Sequence, residues 1–278
     1  MKGSILALGL TVALVAVACG GEDATFPEGS VSVRASSDLA VGSERLLVGV
    51  AAPDGTRLGS PEDSVTFEIA PIDDPERVSS YPATFTWIVP EAVGIYRATV
   101  EFDVPGPWHV TVLPESGPTP EPTAFEVQTE SLAPAIGDPA PSLATPTTAD
   151  RPIEQLTTDT DPEPAFYDLS LDEALDSGAA SVILFATPKF CRTASCGPML
   201  ESLKDLTAAY PDVEFLHLEV YDGFWEADFT PDAGHLADAV VAWNLPSEPW
   251  VFVVGPDGTI VARFEGVLDP AELDAALS

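Results

Sequence analysis

The sequence predicts a two-part protein, an all-β sandwich followed by a C-terminal α/β fold. Three observations carry this. From Val31 to about Leu113, short alternating apolar runs are broken by Pro, Gly and Asp, and no stretch has a helical period. Residues 114–150 then hold eight prolines among Ser, Thr and Ala, the composition of a semi-rigid spacer. After Arg151, buried-type apolar runs alternate with amphipathic segments, the rhythm of strand and helix in turn.

In the first part VSVRAS, RLLVGVAA, VTFEIA, ATFTWIV, GIYRATVEF and WHVTVL each read as a strand, with Asp54-Gly55 and Pro105-Gly106 as turn signals. That strand density fits a β-sandwich. GIYRATVEFDVPGPWHVTV resembles the closing strands of small extracytoplasmic sandwich domains, which implies an immunoglobulin-like arrangement over residues 31–128, with AFEVQ (124–128) as a last strand. His109 stands beside Trp108 with no second His or Cys nearby in sequence to build a metal site. The proline-rich linker is placed at 129–150.

The 278 residues carry 11 Lys and Arg against 45 Asp and Glu, a formal charge of −34. A surface this acidic repels phosphate backbones and anionic headgroups, which excludes nucleic acid as a partner and favours a soluble monomer. The start points to export: Lys2 precedes a nearly continuous apolar run from Ile5 to Val17, ending at Ala16-Val17-Ala18-Cys19. Residues 1–18 read as a signal peptide. A small-residue triplet before cysteine resembles the bacterial lipoprotein signal, which implies that Cys19 carries a diacylglycerol anchor on the extracytoplasmic face of the cell membrane. Residues 19–30, with GGEDATFPEGS, form the tether. The competing reading is an ordinary cleavage site beside an incidental cysteine.

In the second part Ser170-Leu-Asp-Glu173 is a capping-box pattern opening the helix LDEALDSG. SVILFAT (181–187) reads as a strand buried on both faces. Cys196 to Ala209 reads as a helix, with Met199, Leu200, Leu203 and Leu206 on one side. VEFLHLEV (213–220) is a strand, HLADAVVAW (235–243) a helix, WVFVV and TIVARFEG a hairpin about the Gly255–Gly258 turn, and PAELDAALS a closing helix. This order, the entry Phe185-Ala-Thr187 before the cysteines, and Ser247-Glu-Pro249 before WVFVV resemble the thioredoxin family. Gly137-Asp-Pro-Ala-Pro141 is similar to the lead-in of TlpA-like and peroxiredoxin domains. The resemblance implies a thioredoxin-like fold over residues 151–278, with Pro249 as the cis-proline that shapes a substrate groove.

The family's two-residue gap between cysteines is here a four-residue gap, Cys191 to Cys196. Lys189 and Arg192 flank Cys191, and both are stabilisers of its thiolate on this reading. Cys191 is then the attacking thiol and Cys196 the resolving one. If Cys196-Gly-Pro-Met199 is aligned on the family's Cys-Gly-Pro-Cys instead, those roles swap. SVILFAT lacks the acid that thioredoxins bury there. Three functions compete: a thiol–disulfide oxidoreductase acting on exported protein thiols or disulfides, a binding lipoprotein whose disulfide is a permanent staple, and a copper or other metal site. Neither His217 nor His235 stands where such a metal site needs a histidine. No organic cofactor is implied, since the cysteines carry the electrons. Phe224, Trp225 and Phe229, in the loop Tyr221–Pro231, either form a docking patch or pack back over the sheet edge.

Overall fold

Period-two alternation buries every second residue along most strands of the first part. The computed structural model describes residues 25–278 except Ala194. The expected signal peptide, Cys19 and most of the tether lie outside the described residues. The strands are β1 (Val31–Arg34), β2 (Gly42–Ala51), β3 (Arg57–Leu58), β4 (Val65–Pro71), β5 (Ser79–Val89), β6 (Val93–Phe102), β7 (Gly106–Pro114) and β8 (Thr123–Val127). They form one sheet in the order β1-β2-β6-β5-β4-β7-β8, with β3 beside β2. Parallel bridges Val31–Glu121 and Ala40–Gln128 bring its two ends together.

Where the sequence predicts an immunoglobulin-like sandwich, one sheet curls until it is nearly a closed barrel, an architecture compatible with sandwich-like packing of its walls. Both architectures put alternate residues inside, so the sequence pattern does not distinguish them. Closure leaves little of the sheet edge unpaired. Leu46, Phe67, Ile69, Tyr96, Val100 and Val110 fill the interior. Gly94 permits one close approach, since a Cβ there would sit 1.9 Å from Phe85 Cζ.

The second part has strands β9 (Ala180–Ala186), β10 (Val213–Glu219), β11 (Trp250–Val254) and β12 (Ile260–Glu265), and helices α1 (Leu171–Asp176), α2 (Cys196–Leu206), α3 (Asp238–Ala242) and α4 (Pro270–Ala276). The strand order is β10-β9-β11-β12. Only β9–β10 is parallel; β11 is antiparallel to β9 and β12. The expected α/β thioredoxin-like fold is corrected. The described chain is mostly β, and α1, α3 and α4 run only six, five and seven residues. The segment 235–243 shows why. Leu236 and Ala237 are extended, Ala237 N–H bonds Val220 O, and Tyr221 bridges Leu236. Strand-like pairing thus consumes the first half of the predicted helix.

Residues 131–141 run along the second sheet. Gly137 N–H and Ala140 N–H bond Ile260 O and Gly258 O, and Trp243 Nε1–H bonds Pro141 O. The two parts meet through charge. Arg263 on β12 forms a fork with Glu44 of β2, 2.9 Å to each oxygen, and reaches Asp38 at 3.3 Å. Arg45 and Arg97 both grip Glu272 of α4, and Arg97 also holds Asp269 at 2.7 Å. A small apolar cluster of Leu47, Ile95 and Val267 lies in the same junction.

Glu272 is the shared acceptor, and its loss leaves two partly buried guanidiniums without a full complement of acceptors. Glu272→Ala is expected to lower stability by about 2 kcal/mol. Urea unfolding is expected to broaden or split, because the two parts lose their tie. An unchanged midpoint in a single sharp transition would show that the clasp contributes nothing.

Candidate functional site

Cys191 and Cys196 form a disulfide, with Cα atoms 6.0 Å apart. β9 delivers the chain to Thr187, a turn follows in which Phe190 N–H bonds Thr187 O, and α2 begins at Cys196 itself. The two sulfurs differ in setting. Cys196 is fully buried among the residues under α2, whereas Cys191 is only partly buried. The N–H of Cys196, the first residue of α2, points at Cys191 Sγ from 3.3 Å. An unpaired helix N–H there favours negative charge on that sulfur. The Thr193 hydroxyl lies 3.4 Å from the same atom.

The remaining site residues are placed as follows. The Glu248–Pro249 bond is cis and Pro249 is buried at the start of β11. Ser247 and Glu248 line the same groove as Arg192, Thr193 and Ser195. Lys189 and Arg192 are exposed. The Lys189 ammonium sits 5.2 Å above the ring of Phe190. Arg192 acts on Glu248, whose carboxyl is raised above its ordinary value by burial and held back by that guanidinium. Cys19 lies outside the described residues. His109, half-buried on β7, is far in sequence from this cluster.

The loop aromatics pack inward in part. Phe229 meets Phe190 at 5.1 Å and Tyr221 at 6.0 Å, so it braces the residue before Cys191. Trp225 lies under Arg151, 5.0 Å from its guanidinium carbon.

Sequence reasoning missed the polar base under the disulfide loop. His217 is wholly buried; its Nε2–H donates to Ala186 O at 3.0 Å, which leaves Nδ1 to accept from Tyr167 O–H at 2.7 Å. Burial pulls His217 down to about 4, so it is neutral. Glu219 is 7 % exposed and burial pushes its carboxyl up to about 7, against hydrogen bonds from Thr158. Thr158 O–H donates to Glu219 Oε2 at 2.7 Å and accepts Lys189 N–H at 3.1 Å. A buried acid is thus connected, through one hydroxyl, to the main chain two residues before Cys191. Its only sequence signal is an acidic residue closing the strand Val213–Glu219. Glu219 and His217 also border a cavity of about 150 Å³.

No protein-family model matches the chain, and no curated protein matches it. Among the described residues no group of three or more His, Cys, Asp or Glu could hold a metal ion, and no helix is long and apolar enough to cross a membrane.

Folded Glu219 keeps its proton up to about 7, while the ordinary value is 4.5. Between those values the folded state binds more protons than the unfolded one. The contribution of Glu219 to stability is therefore full below pH 4.5 and is lost as pH rises through 7. Relative to wild type, Glu219→Gln is expected to gain stability steadily across that interval. Chemical denaturation at a series of pH values checks this; a pH-independent difference would count against a buried proton.

Proposed function

We propose that the chain is an extracytoplasmic thiol–disulfide oxidoreductase, held to the membrane by lipid at Cys19, which exchanges disulfides with exported proteins at Cys191–Cys196. The observation that carries this is the asymmetry of the pair: one sulfur partly open beneath a helix N–H, its partner sealed in the core. In the reducing direction the Cys191 thiolate attacks one sulfur of a client disulfide and expels the other as a thiolate. Cys196, deprotonated, then attacks Cys191 Sγ and releases the second client sulfur as a thiolate. The client gains two electrons and the Cys191–Cys196 bond re-forms. Run backwards, the same steps oxidise a client dithiol. Lys189, Arg192 and the Cys196 N–H stabilise the Cys191 thiolate, and Pro249 helps to shape the docking surface.

A second reading is a binding lipoprotein with a permanent staple, favoured by the complete burial of Cys196. The reduction potential separates the two. A value below about −300 mV with slow exchange identifies a structural disulfide. On the exchange reading, the potential falls above that limit and Cys196→Ser traps a mixed disulfide through Cys191. Trapping through Cys196 by Cys191→Ser alone would reverse the roles of the two cysteines. The anchor is tested separately: mass spectrometry of membrane-purified protein is expected to find Cys19 as the N-terminal residue with added acyl mass. An unmodified Cys19 overturns the anchor and leaves the exchange chemistry untouched.

A further inference from the structure

Between the curled sheet and the disulfide loop lies a groove of about 400 Å³, within the range of ligand-sized sites. Its floor is apolar, with Leu47, Ile95 and Val267. Val33, 51 % exposed, borders it from β1. Arg57 from the first part and Arg192 from the disulfide loop are its cations. It is also lined by Thr193 and Ser195, from the loop between the two cysteines.

The charge pattern identifies what fits. Among the described residues Arg34, Arg57, Lys189 and Arg192 are the cations in no ion pair; the other six are all engaged. Two of these four line the groove and a third is two residues from Cys191. Of the two groove acids, Glu265 is taken up by Ser37 N–H and the Ser247 hydroxyl. Glu248 interacts with Arg192, its carboxyl raised above the ordinary value by burial and held back by that guanidinium. Three of the four cations that form no ion pair among the described residues, Arg57, Lys189 and Arg192, thus lie in or beside one apolar cleft next to a disulfide.

We propose that this groove binds an extended, acidic stretch of a client polypeptide that carries apolar residues beside its cysteine, presenting that cysteine to Cys191. The inference rests on the exchange reading and names its partner. A low-molecular-weight thiol would need only the cysteine end. The groove's lining instead includes Arg57 and Gly55, from the other part of the molecule.

The test uses the full chain and three probes: a fluorescent peptide rich in Asp and Val with serine in place of its cysteine, the same peptide with Lys for Asp, and glutathione as competitor. Because the serine peptides cannot exchange, their binding reports on the groove alone, and the reduction potential reports separately on the redox reading. Fluorescence anisotropy is expected to show binding of the acidic peptide only, weakening as salt is raised. Arg57→Glu is expected to weaken it about tenfold, the size of one lost charge contact. The salt series needs no variant and holds even if Arg57→Glu fails to fold. Equal binding of both peptides, no binding, or insensitivity to salt overturns the proposal. Displacement of the peptide by glutathione at matching concentration also overturns it, in favour of a small-thiol site.

Discussion

The structure depends on one guanidinium. Arg263 is 9 % exposed, Asp38 is wholly covered and Glu44 is 11 % exposed. Taking such charges out of water costs several kcal/mol each unless every donor and acceptor is met. Here they are. Arg263 forks onto Glu44 and donates to Asp38, to the Ser131 hydroxyl and to Ala133 O. Asp38 in turn accepts the N–H groups of Leu132 and Ala133 at 2.9 and 3.0 Å. A single contact thus joins the curled sheet, the proline-rich segment and the second sheet. Its strict geometry, more than its net energy, sets how the two parts lie against each other, and that relation creates the groove beside the disulfide.

Charge economy gives the arrangement its logic. With a net charge of −34, two acidic parts repel, and extra acids anywhere add to the repulsion. Arg45, Arg97 and Arg263, three of only 11 cations, are all placed in the junction. Each is partly or largely buried, where screening by salt is weak. The apolar cluster of Leu47, Ile95 and Val267 adds area burial to the same seam. Few cations remain for the outer surface, which is why their gathering near Cys191 and the groove is informative.

Local signals in the sequence were legible where one periodicity and one partner decide the outcome. Each of the six strand runs in the first part forms a strand, and Ser170 and Glu173 form the reciprocal cap. Closure of the sheet was not legible, because alternation records inside and outside but not whether the wall has one sheet or two. The short helices were not legible either: Leu236 and Ala237 carry helical character in sequence yet are drawn into pairing with Val220 and Tyr221. The disulfide could be placed by counting, since with Cys19 read as the lipid anchor only Cys191 and Cys196 remain to pair. Glu219 could not, because its environment is assembled from residues 61 positions away, at Thr158.

That remote assembly holds the disulfide loop at both of its ends. Residues 157–159 work as a brace with four contacts: Thr158 on Glu219 and on the main chain of Lys189, Asp159 on Lys204 of α2 at 2.5 Å, and Thr157 within 3.4 Å of His217. The loop is therefore fixed at its entry by Thr158 and at its exit through α2, while Cys191 itself is restrained mainly by its bond to Cys196. Opening that bond frees one sulfur without dismantling either anchor. On the proposed exchange reading, the brace would keep the loop in shape while the Cys191–Cys196 bond is open.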